Sequence, residues 1–170
     1  MSYRQNVEEN LQRFAEGIGL GELKLNEHGA CGLCFDETLI VNMEYLQEDE
    51  ALVFVSSVKA VELHMDPAEK LQLLEKFLFI NLQFQSMQGA YMAYNHDRTE
   101  ILLIRSMPAS IDYGAFESTL EKFVNSLEWV VKEGDNPHSD GTDPNAKPAL
   151  AGGKPAEMPK GPEGDMGIMV

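Results

Sequence analysis

The sequence predicts an α+β fold, one antiparallel sheet with helices in the order α-β-β-β-α-β-β-α. Three features carry that expectation: apolar residues at helical spacing in two segments, strand-like alternation over residues 31–58, and a very apolar helix followed by a hairpin. In the first segment, residues 2–19, Val7, Leu11, Phe14 and Ile18 recur at helical steps among Arg4, Glu8, Glu9, Gln12 and Arg13, and the glycines at 17, 19 and 21 end the helix. Cys31, Leu33 and Phe35 then alternate with Gly32 and Cys34, and Asp36-Glu37 forms a tight turn. Leu39, Val41, Met43 and Tyr45 alternate with Ile40, Asn42, Glu44 and Leu46, and residues 52–58 complete a three-stranded meander. Residues 23–25 are a candidate lead-in strand.

Asp66-Pro67-Ala68-Glu69 reads as a helix start, with Asp66 capping, Pro67 in the first turn and Glu69 able to reach back. The helix is expected to continue to about Met87. Leu71, Leu73, Leu74, Phe77, Leu78, Phe79, Ile80, Leu82 and Phe84 cover most of its circumference, leaving a narrow stripe of Glu69, Gln72, Lys76 and Gln83. So apolar a helix needs cover on more than one side. It is either a central core helix or one packed on its own sheet by one face and on a second subunit by another; the small domain favours the second. Residues 90–94 and 101–106 form a hairpin across Asn95-His96-Asp97-Arg98. Ser110 or Asp112 opens a last helix in which Phe116, Leu120, Phe123, Leu127 and Val130 repeat at helical spacing, and Gly134 terminates it.

Composition divides the chain. Residues 134–170 contain no Phe, Tyr or Trp, yet hold six of the eight prolines and seven of the fourteen glycines. Such a stretch buries too little apolar surface to offset its ordering entropy, so residues 1–133 are read as the folded domain and 134–170 as a flexible, acidic tail. Of the net charge of −15, the tail carries −3 (six acids against three lysines), leaving −12 on the domain. That field repels phosphate backbones and anionic lipid heads within a Debye length of roughly 8 Å. Nucleic acid and membrane insertion are therefore set aside as partners. The start, with no apolar run after a basic region, points to a cytoplasmic protein, and two cysteines agree with a reducing compartment.

No constellation assembles a catalytic site. Cys31-Gly32-Leu33-Cys34 has redox spacing, but a reactive pair needs the first thiol at a helix N-terminus, and strand alternation sends positions three apart to opposite faces. For zinc there is no second cysteine pair, and His28 is a weak third ligand. The thiol or zinc protein using Cys31 and Cys34 stands as a rival reading. The four histidines are scattered, and glycine-rich phosphate loops and nucleophile elbows are missing. No cofactor and no metal is expected.

What remains is surface for another polypeptide. An apolar sheet face beside an amphipathic helix receives a chain by strand addition and side-chain pockets. Leu33, Phe35, Val41, Met43, Val53 and Val55, with Leu11, Phe14 and Ile18 of the first helix, are the candidates. About half of them must be core, since one face of the sheet has to be covered.

Residues 8–36, EENLQRFAEGIGLGELKLNEHGACGLCFD, resemble the opening of the Tir chaperone (CesT) family, the class I chaperones of type III secretion: an amphipathic helix, a short turn at Leu25-Asn26, then a strand closing on an acidic turn. The likeness continues through LEKFLFINLQF at 74–84, a tyrosine hairpin at 91–94, ILLIRSMP at 101–108 and the helix FESTLEKFVNSLEWVVKE at 116–133. The resemblance implies a homodimer that binds the N-terminal chaperone-binding segment of secreted effector proteins. The segment would be held extended, soluble and secretion-competent without ATP hydrolysis, and presented to the type III export ATPase. It implies that the helix at 66–87 supplies much of the dimer interface, with Leu73, Phe77, Ile80 and Phe84 in it, and that the first helix and the strands supply effector pockets. The nearest alternative of the same fold is a regulatory chaperone sequestering a secreted regulator or anti-activator. The apolar end at Ile168-Met169-Val170 departs from the minimal pattern.

Overall fold

A computed structural model describes residues 2–135. Its elements run α1 (Tyr3–Gly17), β1 (Ala30–Phe35), β2 (Leu39–Leu46), β3 (Ala51–Ala60), α2 (Pro67–Ile80), α3 (Phe84–Met87), β4 (Tyr91–Asn95), β5 (Glu100–Pro108) and α4 (Tyr113–Asp135). The expected order holds, with one short helix added. The tail expected over 134–170 lies outside the described residues beyond position 135.

Local chemistry sets the helix starts. Ser2 accepts from the Gln5 N–H at 3.2 Å, Asp66 from the Ala68 and Glu69 N–H groups at 2.9 and 3.4 Å, and Asp112 from the Ala115 N–H at 2.9 Å. The five strands form one antiparallel sheet in the order β1-β2-β3-β5-β4, which leaves β1 and β4 at the two edges. The β1–β2 turn closes through the Thr38 N–H to the Phe35 carbonyl at 3.1 Å, with Asp36 and Glu37 both left-handed at φ 47° and 61°. Two positive φ values in sequence give a turn whose twist matches that of the strands.

The helices pack on one face of this sheet. α4 lies over β2 and β3, α1 and α3 rest on α4, and α2 runs along β4. Leu33, Val41, Met43, Leu52, Phe54, Met92, Ile101, Leu103 and Met107 point inward to meet Val7, Leu11 and Phe14 of α1 and Phe116, Leu120, Phe123, Leu127 and Val130 of α4. Phe116 is edge-on to both Phe14 and Phe54, at centroid distances of 6.2 and 6.1 Å, and ties α1 and α4 to the sheet. The amides of half-buried Asn6 and buried Asn10 donate to the carbonyls of Ala109 and Ile111, fixing α1 to the segment before α4.

Two expectations are corrected. Residues 23–25 form no strand, although Leu23 and Leu25 are buried in the core. The second helix does not reach Met87 unbroken. Its end tightens through i→i+3 bonds from the N–H groups of Asn81, Leu82 and Gln83, and the Asn81 side chain turns to β4, accepting from the Met92 N–H at 2.7 Å. The tightened backbone turn, held in place by the Asn81 bond to β4, takes the chain off the axis of α2. Gly134, expected to end the last helix, is the last residue but one of α4 as described, within a residue of the expected end. A Cβ there would sit 2.9 Å from Cζ of Phe77, so its part is to let α2 approach α4 closely.

Candidate protein-binding surfaces

Because successive strand residues alternate between faces, the helix-covered face claims every second residue. Among the nine residues expected to receive a peptide, Leu11, Phe14, Leu33, Val41 and Met43 are buried in the chain's own core. Steps of three and four along α1 place Leu11 and Phe14 on the stripe that meets α4, and the pleat places Leu33, Val41 and Met43 beneath the helices. Ile18 follows α1 and is 55% exposed. Phe35 is half-buried at the end of β1. Val53 and Val55 are half-buried on the face turned from the helices, where the register sets Asn42, Val55, Ile104 and Tyr91 in one row across four strands.

The residues expected at a dimer seam separate in the same way. Leu73, Phe77 and Ile80 lie at steps of four and three and share one stripe of α2; Phe77 and Ile80 are buried in the core and Leu73 is half-buried. Phe77 and Ile80 thus give a partner no surface. Phe84, on α3, is 62% exposed. Beside the buried stripe runs another, Leu71 and Leu78 of α2, joined by Phe79 and by Leu82 in the turn that follows; all four are exposed, Leu78 by 62%. Sequence reasoning counted these leucines without separating them from the inward stripe. The available signal was the spacing of seven and then four from Leu71, a face offset from that of Phe77.

A second concave surface opens at the other edge of the sheet. Phe14 of α1, Phe35 of β1 and Leu120 and Val124 of α4 line a cleft of about 340 Å³, with Glu117, Glu121 and Asn125 along its α4 rim. Glu117 accepts from the Tyr113 hydroxyl at 2.9 Å, and the Arg13 guanidinium lies 4.1 Å from the Tyr113 ring centroid. Together these draw α1 and the start of α4 into one wall.

The two cysteines do not converge. Cys31 is on the core-facing side of β1, where burial pushes its thiol up to about 11, and Cys34 is exposed on the opposite face. A thiol held protonated is a poor nucleophile and a poor metal ligand. Among the described residues, no three histidine, cysteine or acidic side chains are grouped to hold a metal ion, and no helix is long and apolar enough to cross a membrane.

Comparison with known proteins gives these surfaces a context. The model of the Tir chaperone protein (CesT) family matches residues 9–130. The Tir chaperone of Escherichia coli is 27% identical over 126 residues, 74% of this chain and 73% of that protein, and the Tir chaperone of Citrobacter freundii matches to the same extent. Among solved structures, the ExsC–ExsE complex aligns with a TM-score of 0.62 at 24% identity, covering 78% of this chain and 96% of the matched one. The HopA1–SchA chaperone–effector complex aligns with a TM-score of 0.57 at 14% identity, covering 75% and 96%. At such identities the structural likeness speaks for the fold. The family match spans most of the chain and runs from the middle of α1 to near the end of α4, so this chain belongs to the Tir chaperone protein (CesT) family of type III secretion chaperones.

Proposed function

We propose that this protein is a cytoplasmic, homodimeric chaperone that binds the N-terminal segment of one or more secreted effectors and keeps it soluble and competent for export. It works by holding, without nucleotide hydrolysis: apolar burial supplies affinity, and the β1 edge of the sheet can satisfy the backbone of an extended guest. The family match over residues 9–130 carries the reading. It is supported by apolar side chains that the core does not use, Ile18, Leu71, Leu78, Phe79, Leu82 and Phe84 among them. The exposed stripe of α2 with Phe84 is proposed as the dimer seam, in place of Phe77 and Ile80. The loaded complex would be delivered to the export ATPase.

The test is co-expression of the full chain with each exported protein of the same secretion system, followed by purification without nucleotide. A stable soluble complex, lost when the exported protein's N-terminal segment is deleted and indifferent to ATP, is the expected result. If every exported protein elutes apart from the chaperone, the proposal fails.

A further inference from the structure

We infer that the cleft between α1, β1 and α4 selects, in a polypeptide partner, one aliphatic or aromatic side chain flanked by lysine or arginine. The inference rests on the binding function proposed above and names the chemistry of one of its subsites. The floor is apolar and held in place: Phe14 is edge-on to Phe116, and Phe116 to Phe54, so the walls are built before any partner arrives. A preformed cleft spares the guest the cost of ordering it. Its volume of about 340 Å³ accepts a large apolar side chain with part of the neighbouring backbone.

Charge decides what flanks that side chain. Glu117 and Glu121 stand one helical turn apart on the rim, both exposed. Asp36 and Glu37 follow the Phe35 wall directly in the exposed β1–β2 turn. No basic side chain is among the residues lining the cleft: Arg13 lies over the Tyr113 ring at the Glu117 end, and exposed Lys122, next to Glu121 in sequence, is not part of the lining. A lysine or arginine two residues from the anchored side chain can reach the rim while its stem lies along the apolar wall. An acidic flank would meet like charge, and a neutral one would gain from the floor alone. The cleft opens at the β1 side of the sheet and α2 runs along β4 at the opposite edge, so it stays open if a second copy covers the α2 stripe.

The test uses the full-length chain and two synthetic peptides, Lys-Ser-Ile-Ser-Lys and Glu-Ser-Ile-Ser-Glu, blocked at both ends. They are titrated by NMR while the Leu120 and Val124 methyl signals are followed. At low salt the lysine peptide is expected to bind about three- to tenfold more tightly, a ratio set by solvent-exposed ion pairs. The ratio should shrink towards one in high salt. Glu121→Lys, at an exposed position that leaves the core intact, leaves three acids against one new cation and should lower the preference measurably without abolishing binding to the floor. Equal affinities, an unchanged preference in Glu121→Lys, shifts confined to other parts of the chain, or no binding of either peptide each overturn the inference. The co-expression experiment above separates the two failures: a chain that retains its exported partner but shows no cleft preference loses this inference alone.

Discussion

Cys31 and Cys34 share a strand but not an environment, and the difference can be measured. With its thiol pushed up to about 11 by burial, Cys31 carries a thiolate fraction at pH 8 that is on the order of 100-fold below that of an ordinary thiol. Brief iodoacetamide treatment at pH 8 is therefore expected to modify Cys34 and spare Cys31, read by peptide mass spectrometry. Equal labelling would mean that β1 opens readily. The linkage sign follows from the raised value. The folded state keeps the Cys31 proton that the unfolded chain gives up above about 9, so this residue's share of stability is lost as pH rises from about 9 to about 11. Glu37 gives a second test at this scale. It is a non-glycine residue at φ 61°, so Glu37→Gly removes a Cβ penalty and should stabilise the chain by about 1 kcal/mol in urea unfolding. Arg105 gives a third. Its guanidinium, whose pKa is lowered by burial, donates to the carbonyl of left-handed Gln88 and so closes the turn after α3. Arg105→Met should cost about 1–2 kcal/mol because it leaves that carbonyl without its donor.

At the scale of elements, α2 and α3 show what periodicity conveys and what it withholds. The capping signal at Asp66 and Pro67 was legible because it is local, and the alternation of β1 to β3 because a pleat has only two faces. The end of α2 was not legible, since it depends on Asn81 meeting the backbone of Met92, eleven residues away, and on a strand whose position no local pattern gives. Nor was the inward stripe. Leu73-Phe77-Ile80 and Leu71-Leu78-Leu82 are both apolar, and only the presence of α4, approached through Gly134, decides between them. The cleft was half legible: Phe14 and Phe35 were singled out, but its other wall, Leu120 and Val124, comes from α4, about eighty-five residues beyond β1 in sequence. α3 is held by long-range bonds as well. The buried Ser126 hydroxyl lies 2.8 Å from the Ser86 carbonyl and 3.1 Å from that of Met87, bridging α4 to α3. Ser126→Ala is expected to cost about 1–2 kcal/mol and to raise amide exchange first at 84–90, by hydrogen-exchange mass spectrometry.

For the whole molecule, the question is whether the exposed stripe is enough to bring two copies together. Leu71, Leu78, Phe79, Leu82 and Phe84 are each about half exposed, and a two-fold axis would bury both sets at once. Full burial of one such side chain is worth about 1.5–3 kcal/mol, so two half-exposed sets yield on the order of 7–15 kcal/mol. That gain is of the same order as the about 4–15 kcal/mol of lost translational and rotational freedom, so a dimer held by this stripe is sensitive to single changes. Sedimentation is expected to give a species of twice the 18.9 kDa chain mass. Leu71→Asp with Leu78→Asp places charge on the solvent side of α2, so it should give a monomer with unchanged near-ultraviolet circular dichroism. Phe77→Asp places charge in the core beside Gly134 and should unfold the chain instead. The contrast separates a seam from a core. If the double leucine variant sediments as wild type at micromolar concentration, the seam lies elsewhere, and the valine and isoleucine rows on the helix-free face of the sheet become the surface to substitute next.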